Sequence, residues 1–293
     1  LKIITGYKYI PTTFVLLKKK VMDYNIKLSN GQLLRGLIRK PEKSNAVIIM
    51  VHGHGEHIQR YNHWAELFYE KNIGFTGVDL PGHGRSDGKR GHIQNGSLFD
   101  EMLDILINEC KKTFPDLPVF VYGHSLGGAI ILAYLLRRNP KIAGAIITSP
   151  TLRLAFEPSK AKLKLAAIMK NILPGLIQQS GLPVEYLSHD KEIVEKYIND
   201  PLVHGKISVN LFHTLMNLAN YSLSHASELK TPVLLIHGDN DKICSPAGSI
   251  EFAGKTQMAE LKIWPGGYHE LHNEPFKNDV FKFILNWINL KLT

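Results

Sequence analysis

Unbroken apolar runs of five or six residues recur along the chain, and they set its architecture. Ala46–Val51 has no polar position at all, as expected of a strand covered on both faces. Ile73–Val78, the run beginning at Val119, Ile142–Thr148 and Pro232–His237 read as further strands, and Leu261–Trp264 as the last. Between them the period changes. Tyr61–Lys71 is helical in pattern, and Leu98, Met102, Leu106 and Cys110 repeat at helical spacing behind a capping-box-like start, Ser97-Leu98-Phe99-Asp100. Leu126–Arg138 and Phe276–Leu290 complete the helices. At the front, Asn25–Leu28 and Leu33–Ile38 flank Ser29-Asn30-Gly31, where Asn-Gly marks a hairpin. Alternating buried strands and helices predict an α/β protein with a mostly parallel central sheet flanked by helices.

The alternation breaks once. Residues 151–225 lack buried-strand runs, are helical in period and are interrupted by Pro158, Pro174, Pro183 and Pro201. The expected organisation is a core of 22–150 and 226–293 with a helical cap of 151–225 inserted in it. Residues 1–21 read as a leader: Tyr9 to Leu17 is mildly apolar but is followed by Lys18-Lys19-Lys20, the reverse of a secretory signal. Within the cap, Ala161, Leu165, Ile168, Met169 and Ile172 fall on one stripe of Ser159–Leu173, opposite Lys160, Lys164 and Asn171. A basic amphipathic helix of this kind suits either a membrane surface or the roof of a pocket.

Chemistry enters at Gly123-His124-Ser125-Leu126-Gly127, where a strand runs into a helix. Gly-x-Ser-x-Gly in that context is a nucleophile elbow. A serine hydroxyl needs a base, and the base an orienting acid. Downstream, His237-Gly238-Asp239-Asn240-Asp241 and Gly266-Gly267-Tyr268-His269 each end a strand, giving the order Ser, acid, His. Asp241, three residues past the glycine, is the expected acid and His269 the expected base. Asp239 is the alternative acid, with loop capping its competing role. The oxyanion calls for two N–H donors. Leu126, directly after the nucleophile, and His54, in the turn His52-Gly53-His54-Gly55, are expected to supply them from the backbone.

Composition narrows the field. The 293 residues are 44% hydrophobic and 21% charged, enough for one large core. Two cysteines lacking metal spacing favour a reducing, cytoplasmic setting, and no metal or cofactor is implied. The formal charge of +9 suits an anionic membrane surface or substrate, while no nucleic-acid motif accompanies it. No stretch reaches the apolar length of a membrane span. Sequence leaves the oligomeric state open.

Together with Pro81-Gly82-His83-Gly84-Arg85-Ser86, Tyr197-Ile198-Asn199-Asp200-Pro201-Leu202 and Tyr268-His269-Glu270-Leu271-His272, these motifs make the chain resemble the monoacylglycerol lipase family from Leu33 to Leu290. The resemblance implies an α/β-hydrolase fold with a cap (lid), acting on a small lipid ester by way of an acyl-enzyme. It further implies that Glu56, Arg60, Tyr197 and His272 approach the glycerol end of the substrate. Two departures stand out: His54 replaces a small residue, and His204 a cysteine, of the mammalian members. Cys244 matches a family cysteine. A lysophospholipase, another carboxylesterase or thioesterase, and a non-catalytic binding protein of the same fold are the alternatives.

Overall fold

The computed structural model describes residues 21–156 and 168–292. The proposed leader, save Val21, and most of the amphipathic cap stretch therefore lie outside the described residues. Strands β1 (Val21–Lys27) and β2 (Leu33–Arg39) form the expected hairpin, and Gly31 takes φ +88° in its turn, a conformation open to glycine. The sheet continues through β3 (Ala46–Val51), β4 (Ile73–Val78), β5 (Val119–His124), β6 (Gly144–Thr148), β9 (Val233–Gly238) and β10 (Ala259–Trp264). Eight strands lie in the order β1-β2-β4-β3-β5-β6-β9-β10, antiparallel at β1–β2 and β2–β4 and parallel elsewhere.

The continuous apolar runs have a simple cause. Side chains alternate across a strand, and here each face meets helices. Val47, Ile49 and Val51 of β3, with Val119 and Val121 of β5, face α2 (Ser97–Thr113) and α3 (Leu126–Arg138). Ile48, Met50, Phe120 and Tyr122 face Trp64 and Phe68 of α1 (Asn62–Glu70) and Ile284 and Trp287 of the C-terminal helix, Lys277–Leu292. The edge strand β10 is only part-buried.

Local expectations needed adjusting in two places. Ser97 is the first residue of α2 and caps nothing; Asn95 accepts its N–H at 3.0 Å through Oδ1. The helical stretch at 61–71 begins as a 3₁₀ turn, Ile58–Tyr61, before α1 proper.

The described residues between β6 and β9 add no strand to the main sheet. They carry a short antiparallel pair, β7 (Ile177–Gln179) with β8 (Lys206–Ser208), and the helices α4 (Lys191–Asn199) and α5 (Val209–His225). Asp190 and Ser208 cap these helices, their side chains accepting from Glu192 N and Leu211 N. The α5 helix lies against α3, and its Leu211, Leu215, Leu218 and Leu223 join the principal core cluster. It anchors the segment to the sheet's helical layer. After β9 come α6 (Pro246–Ala253) and, following β10, the closing helix α7 (Lys277–Leu292).

Candidate active site

Ser125 is the one residue between β5 and α3, held at φ +53° and ψ −115°. Such a backbone costs a non-glycine residue free energy, and its neighbours over-determine it. Ser125 donates its N–H to Thr148 O (3.0 Å), while Thr151 N–H reaches Ser125 O (3.1 Å). A Cβ on Gly123 would sit 2.7 Å from Gly127 O, and one on Gly127 would strike Val51 O, so both motif glycines are required by the close approach of backbone.

Two loops bring Asp241 and His269 to this elbow. His269 Nε2 lies 2.9 Å from Ser125 Oγ, and its Nδ1 lies 2.7 Å from Asp241 Oδ2. These partners fix the tautomer: Nδ1 donates to the carboxylate, leaving the Nε2 lone pair for the serine proton. Asp241 is surrounded by donors. Its Oδ1 accepts from Ile243 N (2.8 Å) and Cys244 N (2.9 Å), and its Oδ2 also receives His237 Nε2–H at 3.2 Å. His237 in turn accepts from Ser249 Oγ at Nδ1, 2.7 Å away. Burial opposes ionisation of Asp241, but the charge of His269 and the two histidine hydrogen bonds outweigh it and hold the carboxyl well below its ordinary range. Burial depresses His269, whereas the Asp241 charge and hydrogen bond raise it further, so this ring titrates above an ordinary histidine. Asp239 is exposed and accepts from Gly266 N at 2.7 Å, a loop-capping contact.

The turn after β3 packs directly on Ser125: a Cβ on Gly53 would lie 3.2 Å from Ser125 Cβ. Leu126 opens α3, where an amide has no partner within the helix. His54 follows Gly53 in this turn, its ring packed on those of His83 (5.6 Å) and His204 (5.8 Å). Among the described residues, no set of three or more His, Cys, Asp or Glu side chains is arranged to hold a metal ion.

Glu56, Arg60 and Tyr197 do converge, and they are joined by Glu270, which sequence reasoning missed. Arg60 Nη1 reaches Glu56 Oε2 (2.5 Å) and Glu270 Oε1 (2.7 Å), its Nη2 reaches Glu270 Oε2 (2.7 Å), and the guanidinium lies 4.7 Å from the Tyr197 ring. Glu56 Oε1 accepts Gly53 N–H (2.6 Å) and Tyr61 Oη–H (2.7 Å), so this carboxylate pins the turn that carries His54. Burial raises Glu56 against the pull of Arg60; Glu270 is equally buried, but Arg60's charge and hydrogen bonds hold it low. His272 stands apart from these ions. It is fully buried, stacked on Tyr61 at 4.7 Å and against His124 at 4.8 Å, and neither ring nitrogen has a partner. Burial drops its pKa to about 3, so the ring is neutral. Cys244 lies beneath the site with Sγ 3.5 Å from Thr151 Oγ1, and burial pushes its thiol up, away from the reactive thiolate.

The Arg60 junction makes a stability prediction. Its side chain is 10% exposed and both carboxylates only 2%. Arg60→Met would strand two carboxylates in the interior, and breaking a buried pair in this way costs about 3–5 kcal/mol. The urea midpoint should fall accordingly with an unchanged slope. A loss under about 1 kcal/mol would mean that solvent screens the pair.

An eight-stranded sheet with this elbow and these strand-end loops defines an α/β-hydrolase. The chain belongs to the Hydrolase_4 family (serine aminopeptidase, S33), whose profile matches residues 42–276, and it is an enzyme of the lipase and esterase class. It is 33% identical over 245 residues to a monoacylglycerol lipase of Mycolicibacterium smegmatis, covering 83% of this chain and 87% of that one. It is 36% identical over 255 residues to an uncharacterized abhydrolase domain-containing protein of Dictyostelium discoideum, where the match takes in 85% of this chain but 27% of that protein. The crystal structure of Paleococcus ferrophilus monoacylglycerol lipase superposes with a TM-score of 0.82 at 31% identity, over 88% of this chain and 99% of that one.

Proposed function

We propose that the protein hydrolyses monoacylglycerols to fatty acid and glycerol through an acyl-enzyme on Ser125. The observation that carries the reading is the continuous chain of contacts from Ser125 Oγ through His269 to Asp241, at 2.9 and 2.7 Å. Ser125 Oγ attacks the ester carbonyl while His269 Nε2 takes its proton, and Asp241 stabilises the imidazolium that forms. The N–H groups of His54 and Leu126 meet the oxyanion. His269 then protonates the departing glycerol oxygen. Water repeats the sequence: His269 takes its proton, the hydroxyl attacks the acyl carbon, and His269 returns the proton to Ser125 Oγ as the fatty acid leaves. Segment 151–225 serves as the cap.

Glu56, Arg60, Tyr197 and His272 form the alcohol side in this reading. Glu56 and Arg60 act there mainly by holding the turn, since their polar atoms are engaged with one another and with Glu270. His272, with both ring nitrogens unpartnered, retains hydrogen-bonding capacity for a glycerol hydroxyl or a bridging water. A peripheral seat on lipid is supported by the exposed Ile168, Ile172, Leu173 and Leu176 of the inserted segment and by the basic net charge.

A side-by-side assay tests the substrate. 1-Monoacylglycerol should be cleaved faster than the methyl ester of the same acid, and triacylglycerol poorly. His272→Phe keeps the ring packing but removes the nitrogens. It should lower kcat/KM for monoacylglycerol by about 2- to 10-fold, the value of one hydrogen bond, and leave the methyl ester unchanged. Equal losses on both substrates would remove His272 from glycerol recognition. A preference for lysophospholipid over monoacylglycerol would reassign the substrate.

A further inference from the structure

The loop after β10 carries His269, yet much of its support comes from the inserted segment instead of the sheet. His269 N–H donates to Tyr186 O (3.2 Å), and Glu270 N–H to Leu187 O (2.8 Å). Beside these bonds lies Glu274, a fully buried carboxylate outside the Arg60 junction. Its Oε1 accepts Tyr268 N–H at 2.8 Å from the catalytic loop itself, and its Oε2 accepts His189 N–H at 3.2 Å from the inserted segment. His189 Nδ1 lies 3.1 Å from both oxygens, and its ring stacks on Tyr268 with centroids 3.6 Å apart. Ser188 Oγ donates to Asn273 O (3.0 Å), closing the same seam one residue away.

These contacts share a geometry. Apart from the Tyr268–Glu274 bond within the loop, each joins residues 186–189 to residues 268–274, across about 80 positions of sequence. The groups around Glu274's oxygens are donors, and a buried carboxylate is tolerated only when so surrounded. Tyr268 and Glu270 bracket His269, so the seam grips the backbone on both sides of it.

We infer that Glu274 is a positioning residue which clasps the His269 loop to residues 186–189, so that Nε2 reaches Ser125 only while the inserted segment is seated. Lifting that segment removes the acceptors of His269 N–H and Glu270 N–H together with His189. Cap seating and readiness of the base are then one event, and a site with its cap displaced is a poor catalyst as well as an open one. The inference rests on the assignment of His269 as general base.

Glu274→Gln tests it in the full chain with a soluble p-nitrophenyl ester. The carboxamide places its N–H₂ against donors where an oxygen had accepted, so the seam opens without loss of volume. A small misplacement of a catalytic group costs up to about 100-fold. The expected result is a kcat lower by about 10- to 100-fold, KM within about 3-fold, and loss of the low-field proton resonance of the His269–Asp241 hydrogen bond. His189→Ala should lower kcat in the same sense, and the double variant should fall no further than Glu274→Gln, the signature of a shared interaction. Wild-type kcat with the resonance intact in folded Glu274→Gln overturns the clasp, as do strictly additive losses. Should Glu274→Gln fail to fold, His189→Ala decides: its side chain is 42% exposed, and wild-type kcat there overturns the inference. The base assignment fails separately, if folded His269→Ala retains wild-type hydrolysis. Inactive His269→Ala beside wild-type Glu274→Gln removes the clasp alone.

Discussion

Ser125→Ala is expected to fold normally, to lose ester hydrolysis by at least ~10³-fold and to escape labelling by a fluorophosphonate. The size of the loss follows from the mechanism: without Oγ no acyl-enzyme forms, and only oxyanion stabilisation of attack by water remains. The fold should tolerate the change. The serine side chain contributes a 2.9 Å contact to His269 and a 3.3 Å contact to Thr151 Oγ1, while the bonds that fix its φ of +53° belong to the backbone. Alanine bears the same backbone strain as serine, so the two proteins should melt alike. A folded Ser125→Ala protein with undiminished turnover would remove the nucleophile assignment.

The second large effect belongs to Asp241. In Asp241→Asn the carbonyl oxygen best satisfies Ile243 N–H and Cys244 N–H, which now bind Oδ1 at 2.8 and 2.9 Å. The amide nitrogen then faces His269 Nδ1 as a donor. His269 must adopt the opposite tautomer, with its hydrogen on Nε2, and can no longer accept the proton of Ser125. A fall of about 10⁴-fold in kcat is the expected scale for a wrong-tautomer base. The pH profile adds a sign. In the wild type His269 must be neutral to act, and Asp241 raises its pKa, so activity is lost as pH falls through that raised value. Removing the negative charge lowers the pKa of His269, and the residual activity should persist to lower pH. An acid limb that stays in place would show that Asp241 does not set the titration of the base.

What sequence revealed of this protein depended on repetition. The buried strands β3, β5, β6 and β9 announce themselves because both faces need apolar cover; Ser125 and Asp241 follow because each lies just past such a strand, while His269 follows the part-buried edge strand β10. The short pair β7–β8 gives no such run: Ile177 is half-buried and the two glutamines beside it are exposed. Single polar residues in loops were the harder reading. The bond of His237 to the Asp241 carboxylate depends on a fold-back within Gly238–Cys244. Glu270 and Glu274 are acidic residues in an ordinary turn, and nothing in their spacing shows that both are buried. Glu56 and Arg60, four residues apart, pair locally. Glu270, 210 residues away from Arg60, turns that pair into a three-membered junction.

These observations also order the roles around the site. The Arg60 junction fixes the turn carrying His54 on one side of Ser125, and the Glu274 seam fixes the loop carrying His269 on the other. Both use buried carboxylates that accept backbone N–H groups, from Gly53 in the first case and Tyr268 in the second. Such bonds hold a loop in one conformation more firmly than apolar contact would, because an unpaired buried carboxylate is so costly. The arrangement suits catalysis in which donors and base must be in place before the substrate arrives.

The most direct test of the account is the site and stoichiometry of covalent modification. The protein, treated with increasing fluorophosphonate, is followed by residual monoacylglycerol hydrolysis and by peptide mass spectrometry. One label per chain, located on Ser125 and rising in step with loss of activity, is the predicted result. Full hydrolysis by protein labelled at Ser125, or inactivation tracking a label on another residue, would contradict it.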